Sequence, residues 1–474
     1  MKPESHNFRD AARAAIADTD LRQALGNLET GFVAARARAA GELDEFEALR
    51  DNAVDLKNHI LANLDFYLER FEAQVQAQGG TVHFVADAEE ARQTILDLCR
   101  RYDARTVTKG KSMVAEEVAL NPFLEANGIE PVETDLGEYI IQLAEEPPSH
   151  IIGPAVHKTK DQVSDLFVEH HAKYGKTERL TEPEALVAEA REVLRQRYFD
   201  ADVGITGANF LIAETGSTII VTNEGNGDLT QMLPKAHIVI SSIDKVVPTL
   251  EDVSTILRVL ARSATGQEMS VYTTLSTGPK RDGDLDGPGG FHVVLVDNGR
   301  SALLGTEKQD VLRCIRCGAC MNHCPVYLSV GGHAYGWVYP GPIGAALDPH
   351  FIGIEEAKHL PAASTFCGRC QQVCPMRIPL PKIMRHWREE AFEKRLQPAR
   401  ERAGLALWSW FARRPGAYRF ATRWAARLLG RSGAVRGGRF RHLPMAGGWT
   451  AGRDMPAPET GATFMDRWRA GERP

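Results

Sequence analysis

The chain has 474 residues, of which 43% are hydrophobic and 25% are charged, and its formal net charge is −6. These are ordinary values for a globular protein, and the length predicts two or three domains that each bury a core. No stretch reaches the roughly 18 uninterrupted apolar residues of a membrane span, and no apolar run of a signal peptide follows the first residues. We therefore expect a cytoplasmic protein.

The first segment, residues 8–78, has a helical pattern. It is rich in alanine and then places apolar side chains three to four positions apart, as amphipathic helices do. Gly79 and Gly80 end this pattern. We expect a helical N-terminal arm over residues 1–79 that packs against the next domain or a second subunit. The apolar positions are Leu49, Ala53, Leu56, Ile60, Leu64, Leu68 and Phe71.

Short strands alternate with helices from residue 80 to about residue 306, which predicts an α/β domain with a largely parallel sheet. In a helix predicted over residues 89–101, Cys99 lies on the apolar side, so we expect a buried structural thiol. A helical insertion is expected over residues 180–198, and an Asn-Gly pair predicts a hairpin over residues 292–304. The other predicted strands cover residues 81–85, 106–108, 132–134, 150–153, 208–212, 217–222, 238–241 and 270–275, and another helix covers 113–126.

Three segments of this domain carry side chains suited to chemistry. Residues 108–112 read Thr-Lys-Gly-Lys-Ser at a strand end. They predict either an anion site at a helix N-terminus or a serine cap beside solvated lysines. Residues 213–217 and 223–228 bracket one strand with acids, amides and glycines, which also suit ordinary turns. Glu214 and Glu224 are the glutamates of these two segments, and either could serve as a nucleophile or base.

The segment from residue 314 to residue 325 reads Cys-Ile-Arg-Cys-Gly-Ala-Cys-Met-Asn-His-Cys-Pro. Four cysteines spaced x2, x2 and x3 and closed by proline form the bacterial ferredoxin run, which holds iron–sulfur clusters. A second run over residues 367–375 reads Cys-Gly-Arg-Cys-Gln-Gln-Val-Cys-Pro, and alignment on Cys-Pro places Ser364 at the position of Cys314. Zinc is a less favoured alternative, because it needs neither the third cysteine nor the Cys-Pro ending.

The fourth cysteine of such a run serves the cluster of the other run. The cluster that takes its first ligands from the second run, called cluster 2, therefore lacks one thiolate. Three explanations stay open for it. They are a 4Fe-4S cluster with a different fourth ligand such as Ser364 or water, a 3Fe-4S cluster, and an iron left open for a partner. The predicted ligands are Cys314, Cys317, Cys320 and Cys374 for cluster 1, and Cys324, Cys367 and Cys370 for cluster 2.

The C-terminal part of the chain is basic. From residue 381 onward there are 20 Lys and Arg against 8 Asp and Glu, a balance of +12, while the preceding 380 residues carry −18. Arginine with tryptophan suits interfaces, so docking on the acidic body or on a partner is favoured over an anionic membrane surface, and no nucleic acid is expected. The tryptophans are Trp408, Trp410, Trp424, Trp449 and Trp468.

On these features, from residues 108–112 and 207–227 through both cysteine runs to the tail, nearly the whole chain resembles one family. That family is the iron–sulfur subunit of the bacterial three-subunit L-lactate utilisation system. The resemblance implies a lactate-utilisation domain related to sugar-phosphate isomerases and CoA-transferases, and then a helical ferredoxin-type domain with two [4Fe-4S] clusters on seven cysteines. It also implies a serine at position 364. The expected boundaries are 1–79, 80–306, 307–395 and 396–474.

The resemblance further implies an electron-transfer subunit of a complex that oxidises L-lactate to pyruvate and allows growth on lactate. The other subunits are the expected partners, with an electron acceptor at the membrane surface and a peripheral position at its inner face as further expectations. The chain has no Gly-x-Gly-x-x-Gly entry for a nicotinamide or flavin. One variant lets the open iron of cluster 2 bind substrate as a Lewis acid. The fold relationship that the resemblance implies motivates another hypothesis, an acyl-transfer or isomerase-type activity of the α/β domain with Glu214 or Glu224 as nucleophile or base. A non-catalytic scaffold is the remaining alternative.

Overall fold

A computed structural model describes residues 2–443, 446–450, 452–458 and 461–471 of the chain. The contacts divide it into two compact units, Met1–Glu393 and Lys394–Pro474. The first unit holds the helical N-terminal region, the α/β sheet and both cysteine runs.

The described residues of the first unit contain ten strands in two sheets. Six strands form one parallel sheet in the order β1-β10-β7-β4-β2-β3, and four form a mixed sheet in the order β8-β5-β6-β9. In the parallel sheet, the strands with helices on both faces are buried along their whole length, as parallel strands require. The strands are β1 Thr81–Val85, β2 Thr106–Gly110, β3 Glu130–Glu133, β4 Val203–Gly207, β5 Phe210–Ile212, β6 Ser217–Thr222, β7 Ala236–Ser242, β8 Val246–Val247, β9 Tyr272–Ser276 and β10 Gly290–Val296.

The N-terminal region is helical and covers one face of the parallel sheet. Ile60 and Phe71 are fully buried there, in a cluster with Val239 of β7 and Phe291 of β10. The same region also contacts the second cysteine run, because Arg50 Nη2 donates a hydrogen bond to the Cys374 carbonyl at 2.7 Å. Its helices are Phe8–Ala17, Thr19–Leu28, Ala34–Gly41, Phe46–Ala62 and Leu64–Ala77, with a π-helix at Glu29–Val33.

The opposite face of the sheet is covered by helices of the α/β domain itself. Cys99 is fully buried in this layer, as the sequence predicts, and burial raises the pKa of its thiol to about 12. These helices complete the predicted α/β architecture. They are Ala88–Arg101, Met113–Glu117 and Leu120–Ala126. The other helices of the domain are Leu136–Leu143, Lys160–His171, Pro183–Asp200, Asn226–Met232 and Leu250–Ala264.

Three local predictions for this domain are wrong. The hairpin over residues 292–304 does not form, because β10 pairs in parallel with β1 on one side and β7 on the other. The helix over residues 113–126 is interrupted at Ala119, whose φ is +54°. Residues 150–153 form a loop instead of a strand.

Strand β4 was not predicted, although it lies inside the parallel sheet. Two of its five residues are glycines, Gly204 and Gly207. Because glycine is depleted in strands, the sequence of this segment does not indicate a strand. Both glycines are needed for close packing. A Cβ at Gly204 would lie 1.8 Å from the Thr230 carbonyl oxygen, and one at Gly207 would lie 2.7 Å from the Lys111 carbonyl oxygen.

The cysteine runs lie among short helices, as the ferredoxin-type prediction requires. Each run begins as an extended loop and then enters a helix, with glycine in the left-handed region at the junction. The helices after the α/β domain are Ala319–Asn322, Pro325–Val330, Gly341–Phe351, Ile354–Ala357, His359–Ala363, Arg369–Val373 and Leu380–Glu393.

The second unit is helical with one short β-ribbon. Its two long helices, Ala399–Ala412 and Pro415–Ala434, meet at the predicted break, and many of its apolar side chains are exposed. Among the described residues, no helix is long and apolar enough to cross a lipid bilayer. The other elements of this unit are β11 Arg439–Phe440, β12 Met455–Pro456 and the helices Gly447–Thr450 and Phe464–Arg469.

Candidate functional site

The seven cysteines of the two runs line two separate cavities. Cys374 of the second run joins the first cavity and Cys324 of the first run joins the second, which is the exchange that the ferredoxin pattern predicts. The first cavity is lined by Cys314, Cys317, Cys320 and Cys374, and the second by Cys324, Cys367 and Cys370 together with Ser364.

The two runs share one backbone conformation. Arg316 and Phe366 take corresponding positions and have φ values of +61° and +55°, while Gly318 and Gly368 have φ values of +71° and +80°. Few residues other than glycine adopt this left-handed region, so its repetition at matching places is a specific similarity. The register that places Ser364 opposite Cys314 is therefore the register of the folded chain.

A hydrogen bond is repeated as well. The backbone N–H of Arg316 donates to Cys314 Sγ at 3.4 Å, and the backbone N–H of Phe366 donates to Ser364 Oγ at 3.2 Å. The Ser364 hydroxyl thus has the local setting of a cluster thiol. Arg388 fixes this segment, since its Nη2 donates to the Ser364 carbonyl at 2.8 Å.

Burial controls the titration of the thiols in both cavities when no metal is bound. Burial, together with neighbouring thiolates, raises the pKa of Cys317 to about 12 and that of Cys374 to about 11. Burial also raises the pKa of Cys370 to about 12. Such thiols stay protonated at neutral pH unless a metal ion binds them, because a coordinating thiol is deprotonated outright. The grouping of four thiols in one cavity, and of three thiols with the Ser364 hydroxyl in the other, is the donor set that fits an iron–sulfur cofactor.

The two cavities differ in their access to solvent. Cys317 and Cys374 of the first cavity are buried and its other two cysteines are partly exposed, whereas in the second cavity Cys370 is buried and Cys367 is exposed. A group held by the second set of cysteines would therefore be nearer to solvent, on the side of Cys367.

Buried charges surround the first cavity. Lys245 Nζ donates to the Cys314 carbonyl at 2.6 Å and pairs with Asp244 at 3.2 Å. Arg300 Nε lies 3.2 Å from Asp244, and Arg300 also pairs with Glu117 at 2.6 Å. Burial alone would raise the pKa of Asp244, but Lys245 and Arg300 hold it well below the ordinary value. This network joins the α/β domain to the first cysteine run.

A third, larger cavity of about 350 Å³ lies where strands β2 and β4 end. We call it the α/β cavity. Its polar lining comes from the ends of these strands, from the segment after β6 and from the first cysteine run. Ile151, Ile315 and Arg316 line both this cavity and the first cysteine cavity. The polar and charged lining residues are Lys111, Ser112, Asn209, Thr222, Asn223, Glu224, Lys245, Thr265, Ser270 and Arg316.

The segment 108–112 is divided in the structure. Lys109 is fully buried and paired with Glu116 at 2.7 Å and Glu133 at 2.8 Å, so it is a structural cation. Ser112 caps the following helix, accepting a hydrogen bond from the Ala115 N–H at 3.1 Å. Only Lys111 and Ser112 of this segment line the α/β cavity.

The two glutamates predicted as nucleophile or base are not brought together. Glu224 lines the α/β cavity on its exposed side. Glu214 is exposed in the turn between β5 and β6, where its carboxylate accepts a hydrogen bond from the Leu250 N–H at 3.4 Å. Gly216, in the same turn, has a φ of +71° that closes it. The geometry favours the turn interpretation for residues 213–217.

Sequence reasoning missed His150, which links the α/β domain to the first run. Its Nε2 lies 2.8 Å from Asn322 Oδ1, and its Nδ1 accepts from the backbone N–H groups of Ile152 and Gly153. These bonds assign the proton to Nε2, and burial lowers the pKa of the ring to about 4. A lone histidine in a predicted strand gave no signal of this role.

Glu146, His157 and His333 also lie together, with ligand atoms within 4.8 Å of one another. Their polar atoms are already engaged. His157 bonds through Nδ1 to Ser149 and through Nε2 to Glu146, which Lys158 also contacts. The group is a hydrogen-bonded cluster that ties residues 146–158 together.

Comparison with known proteins gives a consistent result along the chain. The LUD domain family matches residues 68–296, the 4Fe-4S dicluster domain family matches residues 310–378, and the family "Lactate utilisation protein B, C-terminal" matches residues 391–472. Lactate utilization protein B of Bacillus velezensis is 42% identical over 100% of this chain and 98% of its own length. The chain belongs to the lactate utilization protein B family.

Other members of the family are similar over comparable lengths. Lactate utilization protein B of Geobacillus kaustophilus is 43% identical over 97% of this chain and 96% of its own length. The uncharacterized electron transport protein YkgF of Escherichia coli is 40% identical over 96% of this chain and 95% of its own. A crystal structure of a DUF162 family protein from Deinococcus radiodurans matches 49% of this chain at 16% identity and a TM-score of 0.28, too weak a likeness to bear on the fold.

Proposed function

We propose that the chain is the iron–sulfur electron-transfer subunit of a complex that oxidises L-lactate to pyruvate. The observation that carries this proposal is the distribution of seven cysteines over two cavities, each of which takes one cysteine from the other run. When bound there, iron–sulfur clusters supply one-electron transfer. The lactate substrate comes from the names of the relatives, which are lactate utilization proteins.

We further propose that both cofactors are [4Fe-4S] clusters with four protein ligands each. Cluster 1 would be held by the four thiols of the first cavity. For cluster 2 the Ser364 hydroxyl would be the fourth ligand, because it repeats the hydrogen bond and the backbone setting of Cys314. A 3Fe-4S cluster and an iron open to substrate are the alternatives that this proposal displaces.

The partners of this chain would be the other subunits of the lactate utilisation system. The exposed Cys367 places the second set of ligands near the surface, where a partner protein or a membrane-associated acceptor would exchange electrons. Because thiolate clusters need a reducing environment, we infer that the chain works in the cytoplasm. If its electron acceptor is bound to the membrane, the chain would work at the inner face of that membrane. An acyl-transfer activity is not favoured, since the relatives are named lactate utilization proteins and only Glu224 of the two candidate glutamates lines the α/β cavity, where its side chain is exposed.

The function is tested by adding L-lactate anaerobically to the complex assembled from this chain and its partner subunits. We expect the visible absorption of the clusters to bleach and pyruvate to form. The variant Cys320→Ala should lose both, because one ligand of cluster 1 is gone. Cys99→Ala is the matched control, since Cys99 lies in the α/β core away from both runs.

Full lactate oxidation by a complex that contains Cys320→Ala, or that lacks this chain altogether, would contradict the proposal. If the complex with Cys99→Ala also lost lactate oxidation, a folding defect would explain the loss in both variants. The iron content of each variant distinguishes a folding defect from the loss of one cluster ligand.

A further inference from the structure

The α/β cavity lies at the topological switch point of the parallel sheet. From β2 the chain continues to β3 on one side, whereas from β4 it continues to β7 and then β10 on the other side. In open α/β sheets, ligands bind outside the carboxyl ends of the strands at such a point. Lys111 and Ser112 follow β2, and Ala208 and Asn209 follow β4, and all four line the cavity.

The cation with an unsatisfied donor in this cavity is Arg316. Among the described residues its guanidinium forms no direct ion pair, although the buried Asp244 carboxylate attracts it, and its buried Nη1 has no hydrogen-bond acceptor. Its plane lies over the Tyr339 ring, with 4.1 Å between the guanidinium carbon and the ring centre. A buried guanidinium nitrogen without an acceptor is costly, so the site is incomplete without an anion.

The other two cations of the cavity are already neutralised. Lys111 Nζ lies 3.3 Å from Asp135, and Lys245 lies 3.2 Å from Asp244 and donates to the Cys314 carbonyl. They leave the guanidinium of Arg316 as the group with free donors. Arginine presents these donors as a planar fork that matches a carboxylate.

The backbone of Arg316 has a left-handed conformation. Its φ of +61° is costly for a residue with a side chain, and such conformations cluster at functional sites. The corresponding residue of the second run, Phe366, keeps the same backbone but carries no charge and packs under Arg388 at 4.1 Å. The charge is therefore specific to the run that faces the α/β cavity.

The remaining walls of the cavity suit a short carbon chain. Apolar side chains line the cavity together with the polar ones, so a ligand that pairs with Arg316 would also contact hydrocarbon. Their area favours a small organic acid over a free inorganic anion. The apolar lining residues include Ile151, Ile220, Ile240, Leu260, Ala261 and Ala264.

We propose that the α/β cavity binds a short 2-hydroxy- or 2-oxocarboxylate, with its carboxylate on the Arg316 guanidinium. The recognition of a carboxylate follows from the cavity and Arg316 alone, whereas the oxygen at carbon 2 rests on the proposed function. Because Arg316 and Ile315 also line the first cysteine cavity, the ligand lies beside the loop that begins at Cys314. The second cysteine cavity shares no lining residue with the α/β cavity, so cluster 2 would not contact this ligand.

The test is isothermal titration of the anaerobically purified full-length chain with pyruvate, L-lactate and propionate. We expect pyruvate and L-lactate to bind and propionate, which lacks the oxygen, to bind more weakly. Arg316→Gln should weaken pyruvate binding by about ten- to a hundredfold, the usual loss for a charge-assisted bidentate contact. Arg316→Lys should retain part of the affinity, since a point charge replaces the fork.

Two further variants keep the test decisive. Arg369→Gln is the matched control, because this exposed arginine also precedes a cluster cysteine but pairs with Gln372 outside the α/β cavity. Its pyruvate affinity should equal that of the unchanged chain. Ala264→Leu fills the cavity from the helix Leu250–Ala264, far along the chain from the cysteines, and should weaken binding even if Arg316→Gln loses iron.

Unchanged pyruvate binding by an iron-replete Arg316→Gln chain, or by Ala264→Leu, would overturn the proposal, as would absence of binding to the unchanged chain. Equal binding of propionate and pyruvate would overturn the selection for an oxygen at carbon 2 and leave the carboxylate site standing. Iron content and reduction by dithionite, measured on the same samples, report on the electron-transfer role. A chain with reducible clusters and no pyruvate binding would fail only the present inference.

Discussion

Ser364 is the residue on which the chemistry of the second cavity depends. A serine at a ligand position offers a hydroxyl in place of a thiol, and its oxygen already accepts the hydrogen bond that the corresponding cysteine sulfur accepts. The neighbouring backbone holds it there, so the exchange of one atom changes the ligand and leaves the loop in place. Substitutions at this residue therefore separate the three explanations for cluster 2.

We expect Ser364→Ala to convert cluster 2 to a 3Fe-4S cluster, because the fourth iron loses its protein ligand. Ser364→Cys should retain four irons. Electron paramagnetic resonance of the oxidised protein checks both, since an oxidised 3Fe-4S cluster gives a signal and an oxidised 4Fe-4S cluster gives none. Ser329→Ala is the control, as this serine is exposed and bonds only to the Pro325 carbonyl. A Ser364→Ala chain with two intact four-iron clusters would exclude serine as ligand.

Buried histidines predict how stability depends on pH. His237 of β7 is almost fully buried, with its Nε2 2.8 Å from Thr206 Oγ1, and burial lowers its pKa to about 3. In the unfolded chain its pKa is near 6.5, so between these values the unfolded state binds the extra proton. Stability is therefore lost as the pH falls below about 6.5.

For His237 alone, the free energy of unfolding should fall by about 2 kcal/mol between pH 6.5 and pH 5. His237→Asn should remove that share of the slope, although it lowers stability at neutral pH. Thermal unfolding midpoints across this pH range measure the slope. The exposed His442→Asn should leave it unchanged, and an unaltered slope in His237→Asn would contradict the assignment of a neutral buried ring.

At the scale of elements, the sequence predicted what depends on local pattern. The alternation of strands and helices indicated the α/β domain, and the cysteine spacing indicated the exchange of ligands between two runs. Both patterns are local in the sequence, because the helix period, the strand alternation and the spacing of ligands in one loop each extend over about 20 residues or fewer.

The elements that were missed depend on tertiary contacts. An Asn-Gly pair after β10 suggested a hairpin, but that strand is paired on both sides with parallel partners. Likewise, a sequence cannot tell that Lys109 is enclosed by three glutamates while Lys111 reaches a cavity. From the sequence, Arg316 is a charged residue between two cysteines that could tune a cluster, and only the fold shows that it also lines the α/β cavity.

Strand β4 provides a test of this packing argument. Replacing Gly204 by Ala would put a methyl group against the Thr230 carbonyl, and buried backbone cannot yield cheaply, so we expect a loss of about 3 kcal/mol or more. Gly26→Ala is the control, because nothing lies within 4 Å of its added Cβ in the helix Thr19–Leu28. That change should be neutral or stabilising by up to about 1 kcal/mol.

Chemical unfolding of the two variants measures this difference. A Gly204→Ala chain as stable as the unchanged protein would mean that β4 does not approach the helix Asn226–Met232 as closely as described.

At the scale of the whole molecule, three sites follow one another within the first unit. The α/β cavity shares three lining residues with the first cysteine cavity, and the two runs connect that cavity to the second, whose Cys367 is exposed. This order suits transfer of electrons from a buried donor to a partner at the surface. The second unit is basic and exposes large aromatic side chains, including Trp408 and Trp424, which suits docking on an acidic partner.

The central claim is that the two cavities hold two redox-active clusters. Electron paramagnetic resonance of anaerobically purified protein, as isolated and after dithionite, tests it most directly when iron and sulfide are counted on the same sample. We predict about eight irons and eight sulfides per chain and, after reduction, the spin-coupled signals of two neighbouring 4Fe-4S clusters. Bound zinc in place of iron, or clusters that dithionite does not reduce, would contradict the account.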